Sequence, residues 1–200
     1  EYKSKFIFVL VPMKQEIEIA NLNYLQKKYL CDAYKINFYK FTNINKDIRI
    51  IDLYKSFSRG EKYYEQGDTH WNNLGLNLAL IELLSSSNPT NNFHYQQTGT
   101  YIENNKVLER LGLIKIDKIS KRYEVFPEPT SKKKILIIHD SFFNSLYSPT
   151  SYLDKYFQVD YLNWSKNIVQ NDELYSEYDF VILESSIDIF FKERILFLKD

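Results

Sequence analysis

Three runs of this chain hold almost nothing but apolar residues: FIFVLV (Phe6–Val11), KILIIH (Lys134–His139) and DFVILES (Asp179–Ser185). A strand with one wet face alternates apolar and polar side chains, whereas continuous runs of this length belong to strands covered on both faces, as in a parallel sheet. INFYKF (Ile36–Phe41) and FQVDYLNW (Phe157–Trp164) read as further strands. Helical intervals lie between them. Ile17, Leu22, Leu25, Tyr29 and Leu30 recur at helix spacing between Lys14 and Tyr34, and NNLGLNLALIELL (Asn72–Leu84) predicts a helix capped by Asn72 or Asn73. Two more helices are predicted near Val169–Tyr178 and over Ile187–Leu198. Strands alternating with helices specify a three-layer α/β fold with a largely parallel central sheet.

Two stretches resist this reading. Asp47–Phe57 fits neither the strand period nor the helix period. Between about 85 and 133 the pattern weakens through SSSNPTNN, a short helix near Asn105–Leu111 and RYEVFPEPT, whose prolines break structure. We read this part as an irregular insertion within a single domain covering residues 1–200.

Composition narrows the function. With 44% hydrophobic and 16% aromatic residues the chain can bury a substantial core. Lys plus Arg (26) balances Asp plus Glu (26), so no overall field draws in nucleic acid. The longest apolar run, Phe6–Val11, is far short of the ~20 residues that span a bilayer, so no transmembrane segment is expected in these residues. The chain begins at Glu1 rather than Met, which suggests processing and a preceding signal or anchor. A single cysteine, Cys31, excludes an internal disulfide and a multi-cysteine metal site; in YLCDAY it reads as a small core residue. His94 has no ligand spacing to the other histidines, and five glycines form no phosphate loop, so neither a metal nor a nucleotide cofactor is expected.

Two polar clusters stand out against this background. In a parallel sheet, functional residues collect where strands end and loops begin. His139, Asp140 and Ser141 follow the apolar run of KILIIHDSFF at such an end, where a serine can expose its hydroxyl and its backbone N–H can face an oxyanion. On its own this tripeptide reads first as a cap of the next helix by Asp140 or Ser141. The second cluster, GDTHWNNLG (Gly67–Gly75), puts Asp68 and His70 two residues apart just before a helix, so both can face one side of an extended loop. A nucleophilic serine needs a base and an oriented imidazole, which this pair can supply. The plain alternative is a turn at Asp68 and a histidine packed beside Trp71.

Asp-x-His-Trp followed by Asn and a helical Gly, with a later apolar strand ending in Asp-Ser-Phe, resembles the AlgJ/AlgX family of polysaccharide O-acetyltransferases, which includes peptidoglycan acetylation proteins. The resemblance implies an SGNH hydrolase-like fold in circularly permuted order, with the Asp-His block ahead of the serine. Pro12-Met13-Lys14 resembles the family's Pro-x-Lys after its first strand. Carried over by position, Ser141 is the nucleophile, His70 the general base and then acid, and Asp68 the orienting carboxylate. A Ser141 acetyl-enzyme would pass its acetyl group to a polysaccharide hydroxyl, the donor being supplied by a membrane-bound O-acyltransferase partner at an extracytoplasmic location, periplasmic or cell-surface. With water as acceptor the same triad is a carbohydrate acetylesterase; without catalysis the shell is a glycan-binding module. The family usually has glycine before Asp-Ser, where this chain has His139. Trp71, His139 and Trp164 are carried as candidate substrate-binding residues, and Asn163 and Ser185 lie at strand ends where further oxyanion donors can sit.

Overall fold

The predicted apolar runs form neighbouring strands of one sheet. In the computed structural model, residues 5–18, 49–57, 62–65, 70–103, 118–139, 153–163 and 172–186 are described. Their elements are β1 (Phe6–Val11), α1 (Lys14–Ile17), β2 (Arg49–Asp52), α2 (Leu53–Phe57), α3 (Asn73–Ser87), β3 (His94–Glu103), β4 (Lys118–Phe126), β5 (Lys133–His139), β6 (Phe157–Asn163), α4 (Asp172–Ser176) and β7 (Phe180–Ser186). The predicted strand at 36–41 and the helices at 105–111 and 187–198 lie outside the described residues, as do residues 19–34 of the helix expected from Lys14 to about Tyr34.

The chain forms two compact units, Glu1–Ser56 with Pro129–Asp200, and Phe57–Glu128. In the first, five strands run in the order β2-β1-β7-β5-β6, every neighbouring pair parallel. The three most apolar strands, β1, β7 and β5, hold the centre, as burial on both faces requires. One face carries Phe8, Leu10, Leu136, Ile138, Val181 and Leu183 into a cluster closed by Tyr54, Tyr175 and Tyr178. The alternate residues Ile7, Val9, Ile135, Ile137 and Ile182 are also buried, on the other face.

Polar contacts fasten the margins of this sheet. Before β7, Asp179 N–H donates to the Lys134 carbonyl (2.8 Å) while its carboxylate accepts from Lys134 N–H (2.9 Å). The Tyr178 hydroxyl donates to Asp160 on β6 (2.8 Å). After β1, Glu16 accepts from the Met13 N–H (3.1 Å) and from the Tyr54 hydroxyl, tying the Pro12-Met13-Lys14 segment to α2. Asp47–Phe57, ambiguous by period, contains both elements: the short strand β2 runs directly into α2, which is why neither period fits it.

The second unit is built on α3. Its buried residues Leu74, Leu76, Ala79, Leu80, Leu83 and Leu84 lie around more than one side of the helix, with Asn77 fully enclosed among them. Asn77 donates to the Tyr123 carbonyl (3.1 Å), and Asn73 accepts from the Tyr123 N–H (2.6 Å), so two asparagines bind the helix to β4. Residues 94–103 and 118–126, read from sequence within the irregular stretch, form an antiparallel ladder with a bulge between Gln97 and Gly99. Both prolines of RYEVFPEPT come after β4 and leave the strand intact. No helix among the described residues is long and apolar enough to cross a membrane.

Candidate active site

His70 sits in a short, tightly bonded turn. Tyr64 and Trp71 form an isolated antiparallel bridge, Glu65 N–H donates to the His70 carbonyl (2.9 Å), and Asn72 N–H donates to the Tyr63 carbonyl (2.8 Å). Asn72 is the N-cap of α3, as predicted: its side-chain oxygen accepts from Leu74 N–H (3.0 Å) and Gly75 N–H (3.1 Å). The Asn72 amide donates to the Lys62 carbonyl (2.8 Å), so one side chain caps the helix and closes the turn.

Gly75 is required here by close approach. A Cβ at this position would stand 2.6 Å from the Tyr63 carbonyl oxygen and 2.8 Å from Trp71 Cβ. The glycine lets the first turn of α3 press against the strand pair that carries His70. Beneath it, Phe57 and Tyr63 stack at 4.6 Å, and Phe57 meets Tyr64 edge-on at 5.9 Å. The imidazole of His70 is half-buried with its Nε2 shielded from solvent. Trp71 is 1% exposed, so its indole offers no open face for a sugar ring; it is part of the packing that carries His70.

The same unit has a cleft of about 240 Å³ whose walls include Asn72, Tyr101, Lys62 and Lys121. Burial raises the Tyr101 phenol above its ordinary value, opposed by the Asn73 backbone N–H and by Arg122. Leu74, Ile119 and Tyr123 also line it, so the cleft offers polar and apolar walls together.

His139 is the last residue of β5, with Asn163 as its Cα partner on β6. It is 6% exposed, and its ring meets that of Tyr161 edge-on at 5.8 Å. No described non-glycine residue has positive φ, so His139 occupies the strand end without needing a glycine's conformational freedom. Burial pushes the Tyr161 phenol up, helped by the Asp154 charge. Asn163 is exposed at the end of β6, and Ser185 is 1% exposed on β7.

Asp68, Ser141 and Trp164 lie outside the described residues; His70 and Trp71 belong to the smaller unit and His139 to the sheet unit. Sequence reasoning passed over Glu184, which is fully buried in β7 beside Ser185. Its signal is a charged residue inside an otherwise apolar run, FVILESS.

The five parallel strands with their helices form an α/β fold of the SGNH hydrolase-like class. No protein-family model and no curated protein matches this sequence. Among solved structures, the chain is similar to the O-acetyltransferase domain of Pseudomonas putida AlgJ, with TM-score 0.60 and 17% identity over 94% of this chain and 76% of that one. It is also similar to Bacillus cereus PatB1 carrying a sulfonyl adduct, with TM-score 0.62 and 13% identity over 94% of this chain and 82% of that one. The fold is thus AlgJ-like, the class implied by the sequence motifs.

Proposed function

We propose that this chain is a serine-dependent O-acetyltransferase that modifies an extracytoplasmic polysaccharide. The observation that carries the reading is the presence of both blocks, GDTHWNNLG and IIHDSFF, in a chain with the fold of an O-acetyltransferase domain. The turn that fixes the His70 backbone supports it, because a general base must be held in place to act.

In this mechanism Ser141 Oγ attacks the acetyl carbonyl while His70 takes the hydroxyl proton, and the oxyanion is met by backbone N–H groups including that of Ser141. Collapse of the tetrahedral intermediate breaks the bond to the donor's leaving group, which receives the proton from His70. An acceptor hydroxyl then gives its proton to His70 and attacks the acetyl-enzyme; the second intermediate expels Ser141, which is reprotonated. Asp68 orients the imidazole and stabilises its cationic form. The acetyl donor is delivered by a membrane-bound O-acyltransferase partner, in keeping with extracytoplasmic action.

A sulfonyl fluoride and a chromogenic acetyl ester test the assignment. Wild-type protein is expected to be labelled at Ser141 and to turn over the ester. Ser141→Ala does neither, and His70→Ala slows both by about 10²–10⁴-fold. Equal labelling of wild type and Ser141→Ala overturns the nucleophile assignment. Ester turnover in water with no acetyl transfer to any glycan hydroxyl marks an acetylesterase instead.

A further inference from the structure

The cleft beside the His70 turn lies wholly within the smaller unit. Its walls come from two directions. Lys62 and Asn72 belong to the turn that carries His70, the Asn72 amide donating to the Lys62 carbonyl (2.8 Å), while Ile119 and Lys121 stand on β4. At about 240 Å³ it is smaller than the ~300–1,000 Å³ of sites that enclose a drug-sized ligand, and it suits one ring-sized group.

The polar side chains left open around it are of one kind. Asn73 lines the cleft, and its side-chain oxygen accepts from the Tyr123 N–H (2.6 Å). That bond fixes the amide's orientation and leaves its NH2 group, with two donors, no acceptor among the described residues. The Asn73 backbone N–H faces the Tyr101 oxygen and burial keeps the phenol protonated, so its hydroxyl proton is a further donor. Neither the Lys62 nor the Lys121 ammonium has a carboxylate partner among the described residues, and no acidic side chain is among those that line the cleft. Two cations, an amide NH2 and a phenol O–H are donors throughout. Such a set is satisfied by a ligand rich in acceptors, and best by a carboxylate.

The apolar wall restricts the ligand further. Among the described residues, Ile119 is the large hydrophobic side chain left exposed, at 75%, and it stands at this cleft with Leu74. A small inorganic anion gains nothing from such a wall, whereas the C–H face of a sugar ring is covered by it. We propose that this cleft binds an acidic sugar residue, its carboxylate held by Lys62, Lys121 and the Asn73 amide and its ring lying against Ile119. Its service as an acceptor subsite rests on the acetyl-transfer reading above; the binding does not.

Nuclear magnetic resonance titration of the ¹⁵N-labelled protein at physiological salt tests the site with a matched pair: a hexuronate oligosaccharide, and the same oligosaccharide reduced at its carboxyl groups to neutral hexose. The uronate is expected to shift the backbone resonances of Asn73, Tyr101, Ile119 and Lys121, and to bind about tenfold or more tightly than its neutral counterpart. Lys62→Gln combined with Lys121→Gln is expected to weaken uronate binding by roughly tenfold to a hundredfold and to abolish the preference, and Ile119→Ser to weaken both sugars severalfold. All three positions are exposed, so these substitutions leave the fold intact, and resonances far from the cleft verify it. Equal affinity for the two oligosaccharides, or shifts that avoid these residues, overturns the proposal. So does inorganic phosphate that displaces the uronate at equal concentration while Ile119→Ser has no effect, since that marks a patch for small anions. A wild type that binds the uronate here but transfers no acetyl group to any glycan leaves the site standing and removes the acetyl-transfer reading. Acetyl transfer to a glycan by a protein that binds no uronate at this cleft does the reverse.

Discussion

The segment carrying His70 and the strand carrying His139 are held still by different means. β5 lies between two parallel neighbours, so the position of His139 is shared among the ladders to β6 and β7 and the apolar side chains beneath them. His70 has no such ladder. Its turn is fixed by single atoms: the Glu65 and Asn72 N–H groups, the Asn72 side chain, and the missing Cβ of Gly75. Distributed support tolerates local change, whereas support by a few atoms transmits it to the histidine.

Single substitutions in the two regions sharpen this contrast. Leu136→Ala, at a fully buried position on β5, is expected to destabilise the protein by ~2–5 kcal/mol through lost burial and a residual cavity. Gly75→Ala is smaller in volume but meets a backbone carbonyl oxygen at 2.6 Å, which cannot swing aside. Overpacking of this kind costs ~1–3 kcal/mol, against ~1 kcal/mol gained from alanine's helix propensity, so a net loss of about 0–2 kcal/mol is expected. Denaturant unfolding measures both. Beyond stability, Gly75→Ala should slow His70-dependent ester turnover more than its folded fraction accounts for, and Leu136→Ala should not. Equal effects on the two readouts would end the contrast.

These regions also differ in how far they were legible beforehand. β1, β5 and β7 could be read because strands covered on both faces leave a continuous apolar signature, and α3 because Asn72 stands at its start and Leu and Ala fill its interior. The β3–β4 ladder left no such trace. Its described residues include many exposed polar side chains, with Val125 fully buried, so neither an apolar run nor a clean alternation marks it. The candidate triad was legible as motif, since Asp68, His70 and Ser141 stand in short blocks of recognisable spacing. Glu184 was not, because one charged residue at a strand end resembles an ordinary edge of the buried region until the structure shows it fully enclosed. The role of Gly75 likewise depends on how closely Tyr63 and Trp71 approach it, and no local sequence rule contains that distance.

A gentler probe of the His70 turn is its cap. Asn72→Ala removes two acceptor bonds at the start of α3 together with the donor bond to Lys62, and is expected to cost about 1–2 kcal/mol. Asn72→Asp keeps the acceptor and adds a charge suited to a helix N-terminus, but loses the donor. Most of the stability should therefore return with aspartate. Ester turnover should recover less fully if the link to Lys62 also holds the turn, and thermal unfolding beside initial rates separates the two contributions. Full recovery of both would assign the whole effect to capping.

On the sheet side the smallest expected effect is at Tyr178, and it depends on pH. Burial raises its phenol to about 12, helped by the hydrogen bond and charge of Asp160 and by Glu177. In the unfolded chain the same phenol titrates near its ordinary value of 10. Between these two values the unfolded state gives up the proton while the folded state keeps it, so the stabilisation is fully present below pH ~10 and is lost as pH rises through ~12. Tyr178→Phe removes both the hydrogen bond and this titration. At neutral pH the variant should be less stable by about 1 kcal/mol. Because the chain has 17 tyrosines, the informative quantity is the gap between wild type and variant rather than either curve alone. That gap should narrow from about pH 10 to about pH 12 in urea unfolding. A gap that stays constant would mean that Tyr178 shares its support with the rest of the sheet margin, including the Lys134–Asp179 bonds, and that even this part of the sheet does not depend on one side chain.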